Sequence, residues 1–166
     1  YKQDPVTELG RIYRVVQSVI GYQNSLPKLP PAEAKLAAAK EQLEQVRTAP
    51  VREPKQQKKE IKAAERSVRT AEEALAGLKQ KIDAVTSDKD LLGIAEQHPN
   101  IEQSAQLETA RLHEGDAKNV ELWRKFLPIS ITEIDSVYQR LNVKFDYTYG
   151  ESFYQPMLAE VVERLV

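Results

Sequence analysis

Apolar residues recur at alternating intervals of three and four along two stretches in the middle of the chain. In residues 55–86 the recurring positions are Ile61, Ala64, Val68, Ala71, Leu75, Leu78, Ile82 and Val85. In residues 32–48 they are Ala32, Leu36, Ala39, Leu43 and Val46. This spacing is typical of the narrow seam of a two-stranded coiled coil. Pro50 and Pro54 interrupt the helices between the two stretches, so we predict a long antiparallel coiled-coil hairpin over residues 32–86.

The second predicted helix is about twice as long as the first. At 1.5 Å per residue it would span about 48 Å, so its later half must pack on something other than the first helix. We expect that partner to be the helical body of the protein.

The first part of the chain predicts one amphipathic helix. Pro5 suits a helix start, and apolar side chains follow it at helical spacing. We expect Gly21 to end this helix, which we place in residues 1–23. Residues 24–31 contain three prolines and are predicted to be a linker.

Two shorter helices are predicted between residues 87 and 115. Ser87, together with Asp90, resembles a capped start for the first of them. Asn100 is a candidate N-cap for the second helix, and Gly115 is predicted to close it.

The last third of the chain, residues 119–166, reads as helix, helix, short strand, turn and helix. Two separate apolar faces indicate the first two helices, and Asn142 is a candidate left-handed cap after the second. Residues 143–147 alternate between apolar and polar side chains, as a half-buried strand does. Ser152 follows a turn and is a candidate N-cap for the terminal helix.

Together these patterns predict a mainly α protein. It would consist of a helical body, an inserted long antiparallel coiled-coil hairpin and one short strand near residues 143–147. The predicted division is a body helix at 1–23, a linker at 24–31, the inserted hairpin at 32–86 and a helical body at 87–166.

The composition removes several classes of function. The chain has 166 residues with no cysteine and two histidines, so it carries no disulfide framework, no thiolate or histidine-rich metal site and no cysteine nucleophile. Lys and Arg number 24 against 25 Asp and Glu, so the whole-chain charge does not indicate a nucleic-acid partner. No apolar run is long enough to span a bilayer, and no signal-peptide pattern opens the sequence. We expect a cytoplasmic protein without a membrane partner.

The two ends of the sequence suggest a longer parent protein. The first residue is Tyr1 rather than methionine, and the last predicted helix stops abruptly at Val166. We therefore expect the chain to be an internal fragment.

Several short motifs in the last third resemble those of the arginyl-tRNA synthetases. They are Trp123, the run Tyr138-Gln139-Arg140-Leu141-Asn142-Val143, the run Gly150-Glu151-Ser152-Phe153-Tyr154, and Pro156-Met157-Leu158. Their order and spacing are similar to the region between the two halves of that family's class I catalytic domain. Residues 4–17, DPVTELGRIYRVVQ, look like the helix that follows the first nucleotide-fold half. The middle of the chain carries no such motif.

The resemblance implies that the parent is an arginine–tRNA ligase, which uses ATP with magnesium and acts on arginine and tRNA. The chain has neither the HxGH-like nor the KMSK-like motif of class I synthetases. We therefore assign it no catalytic residue, no metal ligand and no cofactor of its own, and we expect the fragment alone to be inactive. By resemblance it would pack against the remainder of the catalytic domain, where it would shape the cleft or guide the tRNA acceptor end.

The turn at residues 150–154 is the first candidate site. The functional interpretation places Gly150, Glu151, Ser152 and Tyr154 at the catalytic cleft or at the 3′ end of tRNA. In the structural alternative, Gly150 permits the turn, Ser152 caps the helix and the aromatic side chains pack underneath. A cap explains Ser152 but leaves Glu151 and Tyr154 unexplained, so both interpretations stay open.

The outer end of the predicted hairpin is the second candidate site. Residues 47–69 contain eight basic and three acidic side chains. The candidates for contact with RNA phosphates are Lys55, Lys58, Lys59, Lys62 and Arg66. No aromatic side chain is interleaved with them, which argues against sequence-specific binding of single strands. The structural alternative is a solvated helix face with Glu–Lys pairs.

A different class of function is a non-catalytic coiled-coil interaction or scaffold module. This alternative explains the apolar seam equally well, but it does not explain the synthetase-like motifs. If the hairpin opened, the seam could also pair between two copies of the chain and give an oligomer.

Overall fold

The computed structural model describes residues 5–50, 53–154 and 157–165. Its helices are α1 (Pro5–Ser25), α2 (Leu29–Thr48), α3 (Pro54–Thr86), α4 (Lys89–Gln97), α5 (Ile101–His113), α6 (Ala117–Arg140), α7 (Glu151–Tyr154) and α8 (Leu158–Leu165). No strand occurs in the described ranges, so the prediction of a mainly α fold is confirmed. None of the described helices combines the length and the apolarity that a membrane crossing requires.

The chain divides into two units, residues 1–121 and 122–166, and the boundary falls within α6. In the first unit, residues 24–31 hold the end of α1, a 3-10 turn (Leu26–Lys28) and the start of α2. The four-part domain division drawn from the sequence stays a prediction.

Helix α1 continues through Gly21, where the sequence predicted its end. An interior glycine costs a helix about 1 kcal/mol, and the buried last turn of α1 offsets that cost. Val19 is fully buried and Ser25 is 2% exposed. Ser25 Oγ also donates a hydrogen bond of 2.6 Å to the carbonyl oxygen of Gly21.

Helices α2 and α3 lie antiparallel in the first unit. Lys79 Nζ, late in α3, is 3.3 Å from Glu33 Oε1, early in α2. Lys40 Nζ is 3.1 Å from Glu72 Oε1. Every apolar position of the predicted seam is buried or half-buried, which is the arrangement that the alternating spacing favours. The coiled-coil character of this pair stays a prediction.

The core of the first unit lies at the C-terminal end of α3. Because α3 has 33 residues and α2 has 20, the end of α3 packs on other helices. Val85 of α3 and Val19 of α1 are fully buried, and they form one buried cluster with Ala95 of α4. Gln23 Nε2 donates to the carbonyl oxygens of Ala95 and His98, at 3.3 and 2.8 Å. These contacts hold the end of α1 against α4.

The start of α4 is capped by Asp88 rather than by the predicted Ser87. Asp88 Oδ1 accepts hydrogen bonds from the backbone N–H groups of Asp90 and Leu91, at 3.0 and 3.1 Å. A carboxylate at this position satisfies two of the free donors of the first helical turn. Asn100 occupies the N-cap position of α5, but its side chain makes no capping hydrogen bond.

A tight turn joins α5 to α6. Gly115 has a φ of +85°, a left-handed conformation that favours glycine, and the predicted end of α5 is confirmed. The N–H of Asp116 donates to the carbonyl oxygen of Arg111 at 2.9 Å. Asp116 Oδ1 in turn accepts from the N–H of Asn119 at 3.0 Å, so one aspartate closes α5 and opens α6.

The two helices predicted after residue 119 are a single helix, α6. Pro128 lies inside it. Proline removes one hydrogen-bond donor and its ring crowds the preceding turn, which is unfavourable inside a helix, yet α6 continues through this position. At the end of α6, Asn142 has a φ of +54° and the N–H of Val143 donates to the carbonyl oxygen of Tyr138 at 2.9 Å. The predicted left-handed cap at Asn142 is therefore confirmed.

The strand predicted at residues 143–147 is wrong. These residues are irregular, with a bend at Asp146. A strand needs the hydrogen-bonding groups of a neighbour, and the described part of the chain supplies none. Phe145 instead packs its ring on Tyr138 of α6, with the ring centroids 4.9 Å apart.

Candidate functional site

The turn predicted at residues 150–154 contains the one-turn helix α7. The N–H of Phe153 donates to the carbonyl oxygen of Gly150 at 2.9 Å. Ser152 is the second residue of α7. It does not cap the terminal helix, because an N-cap directly precedes the first helical turn and α8 begins only at Leu158. That sequence prediction was wrong.

Gly150 has no steric role in the turn. Its φ lies outside the left-handed range, and an added Cβ would meet no atom closer than Ser152 Oγ at 3.9 Å. The backbone would therefore accept other residues at this position.

Four aromatic side chains form a continuous row around α7, and we call Tyr147, Tyr149, Phe153 and Tyr154 the aromatic row. The rings of Tyr149 and Phe153 are stacked, with their centroids 4.3 Å apart and their planes inclined by 28°. Tyr147 continues the stack at 6.1 Å from Tyr149, and Tyr154 meets Phe153 edge-on at 5.2 Å. All four side chains are between 46% and 76% exposed. The structural alternative required the rings of Phe153 and Tyr154 to pack underneath the turn, and they do not.

Sequence reasoning missed the aromatic row. It assigned Tyr147 to a strand and treated Phe153 as packing. The signal was the density of aromatic residues, four among residues 147–154. Exposed ring faces of this kind can stack on the unpaired bases of RNA.

Exposed oxygen atoms accompany the aromatic row. Glu151 and Ser152 are exposed, and within the described residues the Glu151 carboxylate has no salt-bridge partner. No three His, Asp or Glu side chains in the described part of the chain come together to hold a metal ion. The arrangement can therefore stack on rings and accept hydrogen bonds, but it offers no metal site.

The five RNA-backbone candidates all lie on α3 near the outer end of the hairpin. They are Lys55, Lys58, Lys59, Lys62 and Arg66, and all are exposed. None of the five makes a salt bridge within the described residues. Arg47, in contrast, lies 3.0 Å from Glu65 and 3.2 Å from Glu44. The hydrogen bond to Glu65 raises the pKa of Arg47, so its charge is already engaged inside the hairpin.

Comparison with known proteins identifies the family. Residues 55–166 match the family described as tRNA synthetases class I (R), catalytic domain. The chain belongs to this family. The matched range runs from the start of α3 to the end of the second unit, so it includes both candidate sites.

Curated relatives carry the name arginine–tRNA ligase. The relative from Rhodopirellula baltica is 41% identical over 98% of this chain, and the chain spans 26% of its length. The relative from Fusobacterium nucleatum is 43% identical over 43% of the chain and 13% of its own length. One from Clostridium botulinum is 41% identical over 44% of the chain. The chain thus spans about a quarter or less of the length of these relatives. No solved structure matches the chain.

The family match extends further than the motifs did. The sequence motifs were confined to the two ends, whereas the Rhodopirellula relative aligns with almost the whole chain. The hairpin helices are rich in charged residues and alanine, so their similarity to relatives is recognised only over a long alignment. The sequence of the hairpin region therefore aligns with that of at least one arginine–tRNA ligase.

Proposed function

We propose that the chain is part of an arginine–tRNA ligase and forms the connection between its catalytic halves. The observation that carries this proposal is the match to the family over residues 55–166, supported by the names of the relatives. The proposed reaction joins arginine to ATP as arginyl adenylate with release of pyrophosphate. The arginyl group then passes to the terminal ribose of tRNA, and AMP leaves.

Among the described residues no three His, Asp or Glu side chains come together to hold a metal ion, and none of these residues is assigned a step of adenylate formation. The proposal places ATP binding on the remainder of the ligase.

The aromatic row and Glu151 are proposed to face the catalytic cleft or the 3′ end of tRNA. The exposed rings of Tyr149, Phe153 and Tyr154 give a stacking surface for an unpaired base. The free carboxylate of Glu151 suits a cationic substrate such as arginine, or a ribose hydroxyl. Gly150 and Ser152 adjoin these groups in the same turn and are proposed to lie at the same site.

Steady-state arginylation by the full-length protein tests this assignment. We expect Tyr154→Ala to lower kcat/KM about 5- to 150-fold, since a stacked base contributes about 1–3 kcal/mol. Tyr154→Phe keeps the ring and should retain most of the activity. Tyr13→Ala, at a position on α1 that is 65% exposed, is the matched control and should stay within about twofold.

The choice between cleft and tRNA end follows from which Michaelis constant changes. If Glu151 pairs with substrate arginine, Glu151→Gln raises the KM for arginine. If Glu151 meets the tRNA end, the same substitution raises the KM for tRNA. Unchanged kinetics in both Glu151→Gln and Tyr154→Ala would contradict a role for this turn.

A scaffold or interaction role for the hairpin is the second candidate function. The regular ion pairs between α2 and α3 favour it, because they build a stiff arm without any chemistry of its own. If this role is the only one, replacing the outer hairpin residues 41–71 by a short Gly/Ser connection, which keeps the core residue Val85, leaves arginylation unchanged at every salt concentration. Pairing between copies through the seam would make the molecular mass of the chain depend on concentration.

A further inference from the structure

Five basic side chains form a straight line along the outer part of α3, and we call them the basic stripe. They are Lys55, Lys59, Lys62, Arg66 and Arg69. Successive members are four, three, four and three residues apart, which keeps them on one face of an α-helix. At 1.5 Å per residue the stripe is about 21 Å long, with a charge every 4.5 to 6 Å or so.

The basic stripe faces away from α2. Ala64 is 6% exposed at the interface with α2, and Gln57 Nε2 donates to the carbonyl oxygens of Val46 and Ala49. Lys59 follows Gln57 by two residues, and Arg66 follows Ala64 by two residues. Two residues turn a helix by about 200°, so Lys59 and Arg66 lie on the opposite side of α3 from α2. Every stripe residue is exposed. The stripe can therefore meet a partner without opening the hairpin.

The charges of the basic stripe are not neutralised by the protein. Within the described residues only Arg69 of the stripe forms a salt bridge, with Nε 3.9 Å from Glu73 Oε1. Two of the nearby carboxylates already accept hydrogen bonds from other side chains. Glu65 accepts from Arg47 at 3.0 Å, and Glu60 accepts from Gln56 at 2.9 Å.

A solvated helix face would alternate the sign of its charges. Glu–Lys pairs three or four residues apart stabilise a helix, while like charges at those intervals destabilise it. Along the stripe Lys55 faces Lys59 and Lys62 faces Arg66, while Glu60 and Glu65 lie between these residues in sequence but off the line of the stripe. The ion pairs between α2 and α3 show that this hairpin does place opposite charges together elsewhere. A row of like charges is stabilised when a polyanion binds along it.

We propose that the basic stripe binds the phosphate backbone of a double-stranded stem of tRNA. This inference rests on the proposed function, which makes tRNA a substrate. Residues 29–86 contain no Phe, Trp or Tyr, so the hairpin has no ring on which to stack the bases of a single strand. A line of cations on a rigid helix suits the regular phosphates of an RNA duplex, which proteins recognise by shape and backbone. The stripe includes Arg69, which was not among the candidates from the sequence. Lys58, which was a candidate, is not part of the stripe.

The test reverses two stripe charges in the full-length protein and measures tRNA binding over a salt series. Lys59→Glu/Arg66→Glu changes side chains that point away from α2. Lys28→Glu/Lys35→Glu makes the same change in charge at two other exposed positions, in the turn before α2 and on α2 itself, and serves as the matched control. Circular dichroism checks that both variants keep their helices. If the Lys59→Glu/Arg66→Glu protein does not fold, the Lys59→Gln/Arg66→Gln protein takes its place.

The stripe predicts a specific change in salt dependence. Each lost phosphate contact reduces the steepness of the fall of log K with log salt by about 0.9. The magnitude of the slope should therefore be smaller by about 2 in the stripe variant than in wild type. The tRNA affinity of the variant at low salt should fall at least tenfold. The control variant should keep the wild-type slope within about 0.5. An unchanged slope in the stripe variant would overturn the inference.

Two further comparisons separate the inference from its competitors. A short RNA duplex should bind more tightly than a single strand of equal length, and the reverse order would overturn the assignment to a stem. Binding to phosphatidylserine vesicles without binding to RNA would also overturn it. If the wild-type protein arginylates tRNA but the stripe variant is unaffected, the stripe inference fails and the proposed ligase function stands. If wild type binds tRNA through the stripe without charging it, the ligase function fails instead.

Discussion

Arg47 Nη2 of α2 lies 3.0 Å from Glu65 Oε1 of α3, and the same relationship recurs seven residues further along both helices. Lys40 pairs with Glu72 at 3.1 Å, and Glu33 pairs with Lys79 at 3.3 Å. Each step of seven back along α2 is matched by a step of seven forward along α3. Charges flanking an apolar seam in this way favour one orientation and one register of the two helices.

The central ion pair should show a small, salt-sensitive coupling. Lys40→Glu places two carboxylates together and should lower the free energy of unfolding by about 0.5–1 kcal/mol, because both side chains are about half exposed. Lys40→Glu/Glu72→Lys should recover most of that loss. The measurement is a double-mutant cycle by urea unfolding at low and high salt. Additive effects of the two substitutions at low salt would contradict a direct pairing.

The seam should lose far more stability than the surface when leucine is truncated. Leu75 is 8% exposed, whereas Leu107 of α5 is 53% exposed. We expect Leu75→Ala to lower the free energy of unfolding by about 2–4 kcal/mol, since it removes buried methyl groups and leaves a cavity. Leu107→Ala is the matched control and should change it by less than about 1 kcal/mol. Equal effects in chemical denaturation would show that α2 and α3 do not bury the seam.

Two glycines should respond in opposite directions to alanine. Gly115 has a φ of +85°, so Gly115→Ala should destabilise the protein by about 1–2 kcal/mol. Gly77 lies in the middle of α3 with open space around it, and Gly77→Ala should stabilise it by about 0.5–1 kcal/mol. Thermal unfolding of the two variants gives the comparison. A Gly115→Ala protein as stable as wild type would argue against the left-handed turn.

Glu108 should titrate below its ordinary range. Asn119 Nδ2 donates to Glu108 Oε2 at 2.8 Å and Arg111 Nη1 donates to Oε1 at 2.6 Å. The hydrogen bond from Asn119, with the charge of Arg111 beside it, lowers the pKa of Glu108. Because the folded pKa is the lower one, these contacts stabilise the fold above the unfolded value of about 4.3. That stability is lost as the pH falls through the folded pKa.

The check on Glu108 is a carboxyl NMR titration of wild type and Asn119→Ala. The pKa of Glu108 should rise in the variant. Glu8 is an internal control, because its pKa is lowered by a separate hydrogen bond from Arg11 and should not move. A Glu108 pKa that is the same in both proteins would exclude Asn119 as the cause.

The parts of the fold that were predictable are those set by local chemistry. The spacing of Ala64, Ala71 and Leu75 located the buried face of α3, and the left-handed positions of Gly115 and Asn142 followed from residue types that tolerate them. The parts that failed depend on partners distant in sequence. Residues 143–147 alternate like a strand but have no neighbouring strand among the described residues. The two separate apolar faces after residue 119 indicated two helices, whereas α6 continues through Pro128 as one helix.

The candidate sites were predictable to different degrees. The clustering of basic residues at the outer end of the hairpin indicated the second candidate site, because local charge can be counted from the sequence. The helix geometry was needed to show that Lys59 and Arg66 belong to one line and that Lys58 does not. The distances between rings were needed to show that Tyr147 and Phe153 belong to one row. Glu151 was a candidate because no structural role explained it, and the structure still gives it none.

The most direct measurement is charging of total tRNA by the purified full-length protein, with ATP and each of the twenty amino acids in turn. Membership of the family, and a sequence that aligns over almost its whole length with an arginine–tRNA ligase, predict that arginine alone is attached. The Tyr154→Ala protein should charge arginine more slowly under the same conditions. Attachment of a different amino acid, or no attachment by a folded protein that binds tRNA, would contradict the proposed function.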